Sequence, residues 1–123
     1  MVGVNDLIQD ITDDYTLRNF ERIVSQIRVH SPKTDLYILS ILPVNKAMLP
    51  KAMHALTNDR IRELNRKILL FANSGEIPFV NMYEVYAAGN GQLRQQLTWD
   101  GLHLKLSAYV DWVGYLRFLE HLK

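Results

Sequence analysis

The stretch "LYILSIL" (Leu36–Leu42) is almost unbroken apolar sequence, with the turn-forming "SPKTD" before it and Pro43 after it. A run this short and this uniformly apolar suits a β-strand covered on both faces, as in a parallel sheet. Working outward, residues 15–30 carry Leu17, Phe20, Ile23, Val24 and Ile27 on one helical face, with Thr12 or Asp13 available as a cap. Pro32 disfavours helix at the residue before it, so this helix ends near His30. Downstream, Thr57 caps a second helix that turns Ile61, Leu64, Ile68 and Phe71 inward and stops near Gly75. "IPFVNMY" (Ile77–Tyr83) reads as another strand, and a last helix runs from Leu106 to Leu122 with Tyr109, Val113 and Leu116 packed inward. The chain opens on "MVGV", which reads as the end of a further buried strand. Strand and helix therefore alternate, the pattern of a parallel α/β sheet.

Composition narrows the function classes. With 123 residues the chain has room for one compact domain, taken as residues 1–123. Its 14 basic and 13 acidic residues nearly cancel and form no Lys/Arg cluster, so no nucleic-acid partner is expected. Cysteine is absent, which excludes disulfides, thiolate metal sites and a cysteine nucleophile. No apolar run approaches the roughly 20 residues of a membrane span. "MVGVNDL" does not read as a signal peptide, and the cytoplasm is the expected compartment. The four His are scattered without metal-ligand spacing, and neither metal nor cofactor is expected. His30 and His121 read as helix ends, where a cationic ring suits the dipole. "AAGNGQL" (Ala87–Leu93) contains only G-x-G and reads as a turn.

Ligands of open parallel sheets bind beyond the carboxyl ends of the strands. Asn5 and Asp6 follow the first strand, "PVNKAMLPKAMHAL" (Pro43–Leu56) follows the second, and Asp100 and His103 lie on the connection after the third. A carboxylate three residues before an imidazole can hold one ring nitrogen and leave the other to take a proton. Alone, the D-x-x-H spacing is equally met by a capping Asp100 and a surface His103. Asn5 can donate to developing negative charge, although "ND" is also a common turn. The apolar loop Pro43–Leu56 could line a pocket or tuck onto the core, and His54 within it has no partner at useful spacing.

Taken together, "GVND" (Gly3–Asp6), "SILPVN" (Ser40–Asn45) and "LTWDGLHLKLSAYVDW" (Leu97–Trp112) resemble the later blocks of the SGNH, or GDSL-type, ester hydrolases. The resemblance covers most of the chain, in the family's order. It implies a flavodoxin-like three-layer α/β/α sandwich acting on small-molecule esters such as acetylated sugars, lysophospholipids or short-chain esters. It also implies Asp100 and His103 as the acid–base pair and Asn5 as the oxyanion donor. Lys105 and Ala108 stand where the family often has a small polar residue and Gly. The family's G-D-S block with its nucleophilic Ser, and its oxyanion Gly block, have no counterpart in this sequence.

None of Ser25, Ser31, Ser40, Ser74 and Ser107 has the sharp strand-to-helix context of a nucleophile. The expectation is therefore a fold truncated at the N-terminus, with the nucleophile upstream of Met1 and little turnover by the chain alone. The sheet edge left bare would invite a homo-oligomer. The alternative is a non-catalytic α/β binding or interaction module that keeps the fold without the chemistry.

Overall fold

The computed structural model describes residues 3–121. In chain order its elements are α1 (Val4–Ile8), α2 (Asp13–His30), β1 (Ile38–Leu39), α3 (Asn58–Ser74), β2 (Phe79–Val80), α4 (Met82–Tyr86) and α5 (Leu106–His121). Short 3-10 turns occur at Lys46–Met48, Lys51–Met53 and Gln95–Leu97.

The two strands run parallel, with Ile38 opposite Phe79 and Leu39 opposite Val80. Successive strand residues point to opposite faces, and both faces are covered. Ile38 and Ile41 pack with Phe20 and Val24 of α2 and Ile61, Leu64 and Ile68 of α3. Leu42 and Val80 pack with Met82 and Tyr86 of α4 and Ala108 of α5, where Leu39 and Trp112 join them. The result is a mixed α/β fold with a small parallel sheet between two helical layers, as "LYILSIL" implies.

The helix ends follow their capping residues. Thr12 accepts from the Tyr15 N–H at 3.4 Å, and Thr57 accepts from the Arg60 N–H at 3.2 Å. Gly75 closes α3 as expected.

The structure departs from the sequence reading at three places. Met1 and Val2 of the expected first strand lie outside the described residues. The rest of that run is a turn at Gly3 followed by α1. The expected strand 77–83 pairs only at Phe79–Val80, because Asn81 caps a helix by accepting from the Glu84 N–H. In α5 the inward side is Ala108, Trp112, Tyr115, Leu116 and Leu119, whereas Tyr109 and Val113 are exposed. That helix is apolar on every side, so spacing alone cannot select its buried face. Its expected last residue, Leu122, lies outside the described residues.

Beyond β1 the chain leaves the sheet but remains buried, and two side-chain amides of α3 take the place of a neighbouring strand. Asn65 accepts from the Ile41 N–H at 2.7 Å and donates to the Ile41 carbonyl at 2.9 Å. Two turns earlier, Asn58 does the same for Val44, at 2.9 and 2.8 Å. Both amides are buried. Asn65→Ala leaves two buried backbone groups without partners and is expected to cost about 2–4 kcal/mol. Thr57→Ala at the helix cap is expected to cost about 1 kcal/mol. Urea unfolding followed by circular dichroism measures both, and equal losses would refute the structural weight assigned to Asn65.

Candidate active site

Asp100 and His103 sit on a tight loop two residues before α5. Thr98 and Leu104 bridge across its neck in antiparallel fashion, and the Lys105 N–H donates to the Leu97 carbonyl at 2.8 Å. Inside the loop the buried Thr98 hydroxyl donates to the His103 carbonyl at 2.6 Å and accepts from the Gly101 N–H at 3.0 Å. Gly101 has φ +85°, which favours glycine. A Cβ there would lie 2.6 Å from the Asn45 carbonyl oxygen. The Gly101 carbonyl in turn accepts from the Asn45 N–H at 2.8 Å, and the Asn45 amide donates to Leu93 at 3.0 Å. The loop is thus fixed to the buried segment that Asn58 and Asn65 hold.

The two oxygens of Asp100 divide the work that the sequence left as alternatives. Oδ1 accepts from the Leu102 and His103 N–H groups, at 2.9 and 2.8 Å, closing the turn. Oδ2 meets His103 Nδ1 at 2.6 Å. Partial desolvation works against the charged carboxylate, but the His103 ring and the two backbone N–H groups outweigh it. They hold the Asp100 carboxyl well below the usual carboxylate range. An ionised carboxylate only accepts, so a neutral His103 ring carries its proton on Nδ1 and its lone pair on Nε2. The His103 side chain is 78% exposed, and no described residue hydrogen-bonds to Nε2. Chemically, this is an oriented imidazole base presented to solvent.

His103 and Asn5 line the same cleft, of about 700 Å³. Its walls are mostly apolar: Phe20, Ile23 and Ile27 from α2, Leu39 from β1, and Tyr109 and Trp112 from α5. Asn5 occupies the first turn of α1 and is exposed, and its side-chain amide has no partner among the described residues. It gets there because Gly3, at φ +103°, lies where a Cβ would come within 2.9 Å of Ile41. Asp6 is tied back, accepting from the Thr16 hydroxyl at 2.7 Å. Of the loop Pro43–Leu56, only Pro43 and Val44 line the cleft, while Leu49 and Leu56 pack onto the core.

The serines are spent elsewhere or face solvent. The Ser40 hydroxyl is buried and accepts from the Tyr83 N–H at 2.8 Å, and that of Ser74 donates to Phe71 at 2.9 Å. Ser25, Ser31 and Ser107 are exposed. Among the described residues no group of three or more His, Cys, Asp or Glu is arranged to hold a metal ion. No described helix is long and apolar enough to cross a membrane.

Sequence reasoning missed the supports of this site: Thr98, Gly101 and Asn45. Gly101 had a readable signal, since a Gly inside a tight motif often marks a backbone position with positive φ. Asn45 has none, because its partners, the Leu93 and Gly101 carbonyls, are distant backbone groups, whereas Thr98 bonds Gly101 and His103 within its own turn.

The sequence model of the GDSL-like lipase/acylhydrolase family matches residues 1–109. Among solved structures, one from Streptococcus pneumonia described as a platelet activating factor is 31% identical, with a TM-score of 0.82. The match covers 89% of this chain and 52% of that one. A GDSL-like lipase from Bacteroides thetaiotaomicron is 26% identical, with a TM-score of 0.72, over 87% of this chain and 53% of that one. The esterase domain of the ORF1 protein from the zebrafish ZfL2-1 retrotransposon shares the fold at 17% identity and a TM-score of 0.69, over 91% and 61%. The chain thus spans about half the length of the first two structures it matches. A search of curated proteins finds no match. With the family's sequence model covering most of its length, the chain belongs to the GDSL-like lipase/acylhydrolase family.

Proposed function

We propose that this chain carries the acid–base half of an ester-hydrolysing site, with His103 as base, Asp100 as its orienter and Asn5 as an oxyanion donor. The observation behind this reading is the 2.6 Å contact of Asp100 with His103 Nδ1, which leaves Nε2 free on a residue that lines a largely apolar cleft together with Asn5. In the reaction a serine hydroxyl adds to the acyl carbon, and its proton passes to His103 Nε2. The Asn5 amide donates to the oxyanion. Collapse of the intermediate expels the alcohol, which takes the proton from His103. Water then adds to the acyl-enzyme by the same route and releases the acid and the serine. The scheme requires neither metal nor cofactor, and the apolar walls of the cleft suit the acyl part of a small-molecule ester.

We further infer that none of Ser25, Ser31, Ser40, Ser74 and Ser107 is the nucleophile, so that the chain alone turns over little. That inference also supports a second reading, a binding module that has kept the fold, since no described hydroxyl lies against Nε2.

Fluorophosphonate labelling of the folded chain, read by intact mass and peptide mapping, is expected to give no serine adduct. An adduct mapped to any of these serines would overturn the inference. The orientation of the base is tested separately. In proton NMR the His103 Nδ1–H should appear far downfield of an ordinary imidazole N–H and be lost in Asp100→Asn; a resonance unaffected by that change would remove the pair. Because folding lowers the Asp100 pKa, its contribution to stability is complete above about pH 4. It is lost as the pH falls through the lowered folded value. Urea unfolding at a series of pH values should therefore show wild type and Asp100→Asn converging below pH 4.

A further inference from the structure

Exposed large apolar side chains occur on several elements, and one run of them lies along α5, directly after the loop that carries Asp100 and His103. Leu106, Val110 and Val113 recur at i, i+4 and i+7 on α5, on the side opposite the buried Ala108 and Trp112. They are 82%, 68% and 49% exposed, and Trp99, next to Asp100, is 80% exposed. Trp99 is joined to the start of this stripe: the Lys105 ammonium stands 3.6 Å from the centroid of its ring. The stripe ends at Arg117, the next residue of the same row, which is exposed. Cations therefore bracket the stripe, and Asp111, the one carboxylate between them in sequence, lies on another side of the helix.

We propose that Trp99 and the outward face of α5 dock on a phospholipid surface. An indole beneath an ammonium group is suited to the headgroup region, where an amphipathic ring is satisfied at both ends. The Leu and Val side chains enter the acyl boundary, while Lys105 and Arg117 reach phosphates at either end of the stripe. A second copy of the chain fits this face less well. Pairing α5 with its own symmetry mate, parallel or antiparallel, brings cation to cation at both ends of the stripe, with only Glu120 beyond Arg117 to offset it. An apolar face of this kind, rimmed by polar groups, marks an interaction site more often than bare surface.

The test is co-sedimentation with vesicles of phosphatidylcholine and phosphatidylglycerol, together with tryptophan emission. It reads no turnover, so it stands or falls apart from the hydrolytic reading. The wild-type chain is expected to bind the vesicles with a blue shift that Trp99→Phe abolishes; Trp112, packed against Tyr86, does not supply that shift. The triple variant Leu106→Ser/Val110→Ser/Val113→Ser should partition at least about tenfold more weakly, since partitioning scales with buried apolar area. All three positions are exposed, so its circular dichroism should be unchanged. Absence of vesicle binding by the wild type, or equal binding by the triple variant, would overturn the proposal. So would a wild-type dimer that the triple variant dissolves without any vesicle binding, which would assign the face to a contact between copies.

Discussion

The backbone of Ile41 and Val44 is buried beyond the end of a two-residue strand, and its polar groups have to be satisfied there. Water cannot reach them, and β2 has already turned into α4. The amides of Asn65 and Asn58 complete the pairing, each acting as acceptor and donor to one residue. They stand seven residues apart, so both fall on the same face of α3 as Ile61, Leu64 and Ile68. One helix therefore supplies both the apolar wall and the polar clamps for the segment leaving the sheet. Without the clamps Ile41 would carry an unsatisfied buried donor and acceptor, and Val44 an unsatisfied donor, its carbonyl also accepting from the Leu93 N–H at 3.1 Å.

The candidate site is the far end of that support. Val44 leads to Asn45, Asn45 exchanges backbone contacts with Gly101, and Gly101 lies between the two residues whose side chains meet. The dyad itself is exposed and would gain little from a surface ion pair. Its order comes from Thr98 and Gly101 beneath it, which close the loop from the buried side. The exposed imidazole thus keeps one orientation, because the loop that carries it is anchored to buried backbone.

Much of this was legible in the sequence. "LYILSIL" announced a strand covered on both faces, Thr57 and Gly75 marked the ends of α3, and the resemblance of "GVND" and "DGLH" to a family placed the chain correctly. The misreadings have physical causes. The apolar run Ile77–Tyr83 continues past its last paired residue, and a capping Asn81 turns it into helix. In α5 apolar residues occur on every side, so Leu116 was placed inward correctly while Tyr109 and Val113 were read in place of their neighbours Ala108 and Trp112. That same excess leaves Leu106, Val110 and Val113 on the surface, where helices ordinarily carry polar residues.

What the sequence determined by itself was the local menu: helix and strand periods, caps, and the three-residue spacing that lets Asp100 reach His103. These depend on residues near one another in the chain, so they survive without knowledge of the rest. What only the tertiary structure decided was which distant groups meet. Asn5 and His103, 98 residues apart in sequence, share one cleft. Asn65 and Asn58 reach back to residues 24 and 14 positions earlier, and Gly101 finds its partner at Asn45. An asparagine reads alike whether it closes a surface turn or pairs buried backbone. The difference is set by what the core excludes from water, and that exists only once the helices have packed against the sheet.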